Sequence, residues 1–196
     1  DETGMTVAQG DHLPVHLGAM PLSVQSAIEN VDLKAGDTVA LNDPFRGGTH
    51  LPDITLVSPV YIKGRSRPAY FVANRAHHSD VGGISPGSMP LATEIFQEGV
   101  IIPPVKLVCR GKIDSDILSF ILANVRTPEE REGDLTAQLA ANMIGEKRLL
   151  EITGKYGHKK ILAYMRHLQD YSERIMRQTI RDIPDGDYSY TDYLDD

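Results

Sequence analysis

Residues 54–75 read Ile54-Thr-Leu-Val-Ser-Pro-Val-Tyr61, then Ile62-Lys-Gly-Arg-Ser-Arg-Pro68, then Ala69-Tyr-Phe-Val-Ala-Asn-Arg75. The first and third segments are rich in β-branched and aromatic residues, which is the composition of β-strands. The middle segment contains Gly64 and Pro68 among polar residues, and a connection of this kind favours a β-hairpin. The sequence therefore predicts two neighbouring antiparallel strands.

The hairpin has a consequence for residues beyond both of its ends. If the strands pair about the middle of the connection, Asp53 lies near His77 and His50 lies near Asp80. Two groups of imidazole and carboxylate side chains that are distant in sequence would then meet at one end of the hairpin. A register shift of one residue turns a side chain to the other face, so His77 and His78 remain equal candidates for the inward position.

Residues 1–110 and residues 111–182 differ in composition and in the spacing of their apolar residues, which predicts an α+β fold. Residues 1–110 hold most of the Pro and Gly residues and several short β-type runs, so we expect a mixed β-sheet that carries the His/Asp site. Residues 111–182 have helical spacing and are expected to form a long helical hairpin. Its helices begin at Thr127-Pro-Glu-Glu130 and near His158. Ser23–Ile28 predicts a shorter helix.

The last residues, 183–196, are expected to begin a following segment. Tyr residues alternate with polar residues there, a pattern typical of a strand, yet no partner strand follows. The chain also opens without an initiator Met. We therefore expect the sequence to be a fragment of a larger subunit.

The composition limits which kinds of binding partner and which cellular compartment we expect for this protein. A net charge of -7 and a pI near 5.5 argue against a nucleic-acid partner, which would need a basic face. The apolar runs are short, so we expect no membrane-spanning segment. The single Cys109 excludes an internal disulfide, and its apolar neighbours predict a buried strand position. These features fit a cytoplasmic protein.

The segment Leu41–Asp53 concentrates turn-forming residues around His50 and Asp53. Imidazole and carboxylate are preferred ligands of zinc, iron and manganese, and a set of two or three forms a catalytic site. His50, Asp53 and one or both of His77 and His78 meet that requirement, with Asp80 as a further ligand or supporting group. Two alternatives remain: a metal-free His–Asp acid/base pair, and loop residues that only form structural hydrogen bonds. The turn around His12 and His16 is a weaker candidate.

The chain contains five long motifs: Asn42-Asp-Pro-Phe-Arg-Gly-Gly-Thr-His-Leu-Pro-Asp53, Asn74-Arg-Ala-His-His-Ser-Asp80, Pro86-Gly-Ser-Met-Pro90, Asn124-Val-Arg-Thr-Pro-Glu-Glu-Arg-Glu-Gly-Asp-Leu-Thr-Ala-Gln138 and His12-Leu-Pro-Val-His-Leu-Gly18. In these motifs the chain resembles the hydantoinase B/oxoprolinase family. The resemblance runs along nearly the whole chain, and family members are typically more than twice as long.

The resemblance implies an ATP-dependent hydrolase that opens a cyclic amide such as a hydantoin or 5-oxoproline. A hydantoinase A-type partner subunit would use the ATP, which implies a hetero-oligomer that acts on a small molecule. By similarity, His50, Asp53 and His78 would hold a divalent zinc, manganese or iron ion. His77 and Asp80 are then the candidates for moving protons. Two alternatives stay open: a subunit of a ketone (acetone or acetophenone) carboxylase, and a scaffold that docks the ATP-handling partner.

Overall fold

A computed structural model of the chain describes residues 1–10 and 13–193. Asp11 and His12, which belong to the weaker His-rich candidate, and residues 194–196 lie outside the described residues. The strands are β1 (Thr38–Leu41), β2 (Asp53–Val60), β3 (Tyr70–His77), β4 (Val105–Cys109) and β5 (Lys112–Ile113). The α-helices are α1 (Val15–Asn30), α2 (Ser115–Leu122), α3 (Pro128–Tyr156) and α4 (His158–Arg181), and short 3-10 helices cover Pro44–Arg46 and Ile95–Gln97.

The strands form one five-stranded sheet in the order β3-β2-β1-β4-β5. Its four strand pairs are all antiparallel, where a mixed sheet was expected, and the α+β class is confirmed. The hairpin between β2 and β3 has the predicted register, since Val60 lies opposite Tyr70 and Asp53 lies opposite His77. The two groups of ligand-type residues therefore start from the same end of the hairpin.

The sheet lies between helices, which explains why all eight residues of β2 are buried. On one face, α1 packs Val24 and Ala27 against residues of β1 and β2. On the other face, Ile121 of α2 and Leu135 of α3 pack against Leu56 and neighbouring apolar residues. Burying a side chain of this size contributes about 1.5–3 kcal/mol, so these contacts hold the hairpin on both faces.

Buried amides join α3 to the hairpin. Gln138 Nε2 donates to the Ile54 carbonyl at 2.9 Å and to Asn74 Oδ1 at 2.8 Å. One turn further along α3, Asn142 Nδ2 donates to the Leu56 carbonyl at 3.2 Å. Because an unpaired buried amide is costly, these bonds specify one position of α3 on the sheet. They also place α3 beside the carboxyl end of β3.

The helical hairpin begins and ends close to the predicted residues. Pro128 starts α3, and Gly157, with a φ of 82°, separates it from α4. Gly154 lies inside α3 and does not interrupt it. The first helix is longer than predicted, because α1 begins at Val15 and continues through Pro21.

Two local predictions were wrong. Residues 183–193 contain no strand within the described part of the tail. Cys109 does lie in a strand, but it is the last residue of β4 and is exposed. Alternation and apolar neighbours describe a local pattern, whereas burial depends on what packs over the residue. Among the helices described, none has the length and apolar character needed to cross a membrane.

Candidate metal centre

The loop that carries His50 is held by a fully buried amide. Asn42 Nδ2 donates to the Leu51 carbonyl at 2.7 Å and to the Val100 carbonyl at 2.9 Å. Its Oδ1 accepts from the Ile102 N–H at 2.6 Å. The amide thereby ties the end of the His50 loop to a distant segment of chain, and so limits the positions that the loop can adopt.

Two glycines allow the tight path of this loop. Gly47 has a φ of 91°, and a Cβ there would lie 2.6 Å from the Leu22 carbonyl oxygen of α1. At Gly48 a Cβ would lie 2.1 Å from the Asn42 carbonyl oxygen. No side chain fits such distances, so both positions require glycine. The close approach carries the following residues back over the end of the hairpin, where His50 meets Asp53.

The structure brings together His50, Asp53 and His77. Each of the three offers a ligand atom, and these atoms all lie within 4.8 Å of one another. His77 Nδ1 is 2.9 Å from Asp53 Oδ1, and His50 Nδ1 is 3.6 Å from Asp53 Oδ2. The two imidazole rings are stacked, with centroids 5.6 Å apart. Asp53 is buried and His77 is exposed, so the cluster is open to solvent on one side.

The outer nitrogens of both rings contact one residue, Ser88. His50 Nε2 is 2.6 Å from the Ser88 carbonyl oxygen, and His77 Nε2 is 2.8 Å from Ser88 Oγ. The sequence had indicated the Gly-rich segment around Ser88 as a lid or wall beside the His cluster and as part of a family motif, without a role for Ser88 itself. Ser88 is nevertheless the direct partner of both imidazoles.

His78, placed at the metal by the resemblance, points away from this cluster. It is 1% exposed, and its Nε2 is 2.9 Å from Gln138 Oε1 of α3. Its Nδ1 is 4.0 Å from an Asp134 carboxylate oxygen. Burial lowers the pKa of His78, against the raising effects of the Gln138 hydrogen bond and Asp134. The physical reason is alternation: neighbours along an extended chain face opposite sides, and His77 takes the side of Asp53.

Asp80, the other candidate for proton transfer, is a buried carboxylate that pairs with the exposed guanidinium of Arg126. Its Oδ1 is 2.9 Å from an Arg126 guanidinium nitrogen and accepts from the Gly82 N–H at 3.0 Å. The Arg126 backbone N–H also donates to its carboxylate. Burial acts to raise the pKa of Asp80, but these hydrogen bonds and the guanidinium leave the pKa below its usual value. Asp80 thus fixes the loop after β3 and is not in the cluster.

Arg75 is a neighbour of the site that the sequence did not identify. Its guanidinium donates to Thr55 Oγ1 at 2.7 Å, to Ser23 Oγ at 2.7 Å and to Thr49 Oγ1 at 3.3 Å. Burial lowers the pKa of Arg75, and the charge of Asp53 opposes that shift. Arg75 therefore connects α1, β2 and the residue before His50 while adding positive charge near the Asp53 carboxylate.

The turn around His12 and His16 was the weaker candidate, and its described residue, His16, is not part of the cluster of His50, Asp53 and His77. His16 lies in the first turn of α1, and its Nδ1 is 3.1 Å from an Arg75 guanidinium nitrogen. A sequence signal for Arg75 did exist, since it is two residues before His77 and therefore shares its face of β3.

The donors present fit a divalent metal ion. Two imidazoles and one carboxylate form a set used at catalytic zinc and non-haem iron sites, which keep positions open for water or substrate. The loop around Gly47 and Gly48, the end of the hairpin and Ser88 together position the three side chains. A metal-free His77–Asp53 hydrogen bond is the other chemistry that these distances allow.

Comparisons with known proteins agree with the motifs. A family model described as "Hydantoinase B/oxoprolinase" matches residues 1–196. The beta subunit of a caprolactamase from Pseudomonas jessenii is 36% identical over 97% of this chain and 33% of its own length. A 5-oxoprolinase of Dictyostelium discoideum is 37% identical over 98% of this chain and 16% of its own length. An uncharacterised protein of Methanocaldococcus jannaschii is 41% identical over 92% of this chain and 33% of its own length.

Solved structures give the same relationship. The crystal structure of the ATP-dependent caprolactamase from Pseudomonas jessenii matches 97% of this chain and 33% of that chain, with a TM-score of 0.88 and 36% identity. A nucleotide-free acetone carboxylase structure matches 77% of this chain and 20% of that chain, with a TM-score of 0.68 and 25% identity. The chain therefore spans at most a third of the length of these relatives.

Proposed function

Because the chain belongs to the hydantoinase B/oxoprolinase family, we propose that it is part of an ATP-dependent hydrolase that opens cyclic amides of the lactam, hydantoin or 5-oxoproline type. The observation that carries the proposal is the cluster of His50, Asp53 and His77 in a chain so similar to part of a caprolactamase. A carbon–nitrogen bond of an amide is hydrolysed slowly, and a metal-ligand set open to solvent suits that chemistry.

The proposed ligands are His50, Asp53 and His77. A zinc, manganese or iron ion held there supplies Lewis acidity toward a carbonyl oxygen, or a bound water of lowered pKa. Asp53 lies between the two imidazoles, so its two oxygens can orient both rings at once. His78 and Asp80 are proposed to support the site from behind, because Gln138 and Arg126 already occupy their polar atoms.

The proposed partner is a hydantoinase A-type subunit that uses ATP to activate the substrate. The names of two relatives support an assembly of unlike subunits. One is the beta subunit of a caprolactamase, and the other is the B-type subunit of a "Putative D-/L-hydantoinase" from a Pseudomonas species, which is 32% identical over 100% of this chain. We further propose a cytoplasmic setting, which suits the exposed thiol of Cys109 because thiols persist in a reducing compartment.

The test uses the full-length protein with its ATP-handling partner. ATP hydrolysis should rise in proportion to ring opening when a lactam, a hydantoin and 5-oxoproline are supplied in turn. His50→Gln should abolish ring opening, while the matched control His167→Gln, on the exposed surface of α4, should not change it. Absence of ring opening with every cyclic amide would reject the proposal. Unchanged metal content together with unchanged turnover in His50→Gln would favour the alternative that this chain is a docking scaffold.

A role in a ketone carboxylase is the second candidate, because the acetone carboxylase structure shares most of this fold. The chemistry is distinguishable in the same assembly. Carboxylation consumes bicarbonate together with acetone or acetophenone, whereas hydrolysis of a cyclic amide needs neither. Bicarbonate-dependent loss of a ketone, without any ring opening, would favour the carboxylase.

A further inference from the structure

A single residue outside the metal-ligand set contacts both imidazoles of the site. Ser88 accepts from His50 through its backbone carbonyl and contacts His77 through its hydroxyl, at 2.6 and 2.8 Å. We infer that Ser88 is a positioning residue that sets the tautomer of His50 and holds the ring of His77, so that each presents Nδ1, not Nε2, to a divalent cation. The inference rests on the proposed function, because it names the atoms by which that site would bind its ion.

The contact with His50 determines a tautomer. A carbonyl oxygen can only accept, so His50 Nε2 must carry the proton and donate it to Ser88. In the neutral imidazole, Nδ1 then has a lone pair and no proton. This lone pair faces Asp53 Oδ2, which is also an acceptor, at 3.6 Å. Two facing acceptors repel each other unless a positive charge lies between them, and a divalent cation supplies that charge.

The contact with His77 is compatible with the same tautomer. The Ser88 hydroxyl can accept from His77 Nε2–H, which leaves Nδ1 without a proton and directed at Asp53 Oδ1, 2.9 Å away. Metal-binding histidines usually donate their second ring N–H to a carbonyl or other acceptor, and this second contact fixes the ring and its tautomer. Ser88 supplies that acceptor to two ligands at once.

The segment that carries Ser88 is itself held in place. The Gly87 N–H donates to the Ser79 carbonyl at 2.9 Å, and the Ile84 N–H donates to the Gln97 carbonyl at 2.8 Å. Gly83 has a φ of 74°, and a Cβ there would lie 2.4 Å from the Gln97 carbonyl oxygen. The loop therefore returns Ser88 to the end of β3 through contacts that do not involve the two histidines.

The experiment measures zinc affinity of the full-length protein by competition with a chromophoric chelator. Ser88→Ala keeps the carbonyl but removes the hydroxyl, so zinc binding should weaken about 10- to 100-fold through the loss at His77. Ser88→Thr keeps a hydroxyl and should bind zinc close to the wild-type affinity. Ser85→Ala, on the same loop, is the matched control and should leave the affinity unchanged. Thermal unfolding of each variant establishes that the fold is retained.

A crystal structure of the zinc-loaded protein identifies the coordinating nitrogens, which should be Nδ1 of both His50 and His77. Wild-type affinity in Ser88→Ala, or coordination through Nε2, would overturn the inference while leaving the metal site and the proposed function intact. If substitution of His50 or Asp53 leaves the zinc affinity unchanged, the proposed ligand set and this inference fail together.

Discussion

Replacing His78 with Ala tests whether this residue supports the fold or binds the ion. The side chain is 1% exposed and fills space between β3 and α3, so its removal leaves a cavity. Truncation of a large buried side chain costs about 2–5 kcal/mol. Gln138 Oε1 would also lose its partner, at a cost of about 1–3 kcal/mol for a buried unsatisfied group. Because these costs overlap, we expect the free energy of unfolding to fall by about 3–5 kcal/mol.

Urea denaturation of the full-length protein measures this change, and His77→Ala is its matched control. The side chain of His77 is 45% exposed and its hydrogen-bond partners are Asp53 and Ser88, so its loss should change the free energy of unfolding by less than about 1 kcal/mol. The metal content should show the opposite order, retained in His78→Ala and lost in His77→Ala. A His78→Ala protein of wild-type stability that has lost its metal would refute the reasoning.

Three further predictions address the loop and the helical hairpin. Gly48→Ala should weaken zinc binding more than tenfold, because its Cβ would lie 2.1 Å from the Asn42 carbonyl oxygen; chelator competition measures this, and an unchanged affinity would contradict the loop geometry. Gly133→Ala in α3 meets no atom within 4 Å and should raise the unfolding midpoint, adding about 0.5–1 kcal/mol, since Ala favours helix. Burial, and to a smaller extent the charge of Arg65, lowers the pKa of His158 in the folded protein. As the pH falls below about 6.5, the unfolded chain therefore takes up a proton at this residue before the folded protein does, and the free energy of unfolding declines. Urea titrations from pH 7.5 to 5 should show a shallower decline in His158→Gln, and identical slopes would exclude this contribution.

The sequence was sufficient where structure follows from local pattern. The β-type runs around Gly64 and Pro68 predicted the hairpin, and its register was confirmed to the residue, with Asp53 opposite His77. Pro128 and Gly157 mark the ends of α3 as helix-capping preferences require. The prediction of α1 was too short: Ser23–Ile28 was expected, whereas the helix covers Val15–Asn30 and accommodates Pro21 in its interior, where a proline usually ends a helix.

The sequence was insufficient where a choice depends on distant contacts. His77 and His78 are adjacent and chemically identical; the exact strand register places His77 beside Asp53, and α3 presents Gln138 to His78. No local pattern reports that contact, which spans 60 residues of chain. The same holds for Ser88, which reaches the site because hydrogen bonds within its loop return it to the end of β3.

Anomalous diffraction at the zinc edge, from crystals of the full-length protein grown with zinc, tests the central claim most directly. We predict one strong peak within bonding distance of His50, Asp53 and His77. A peak bound by His78, or His50 and His77 side chains turned away from any shared peak, would contradict the proposed metal centre.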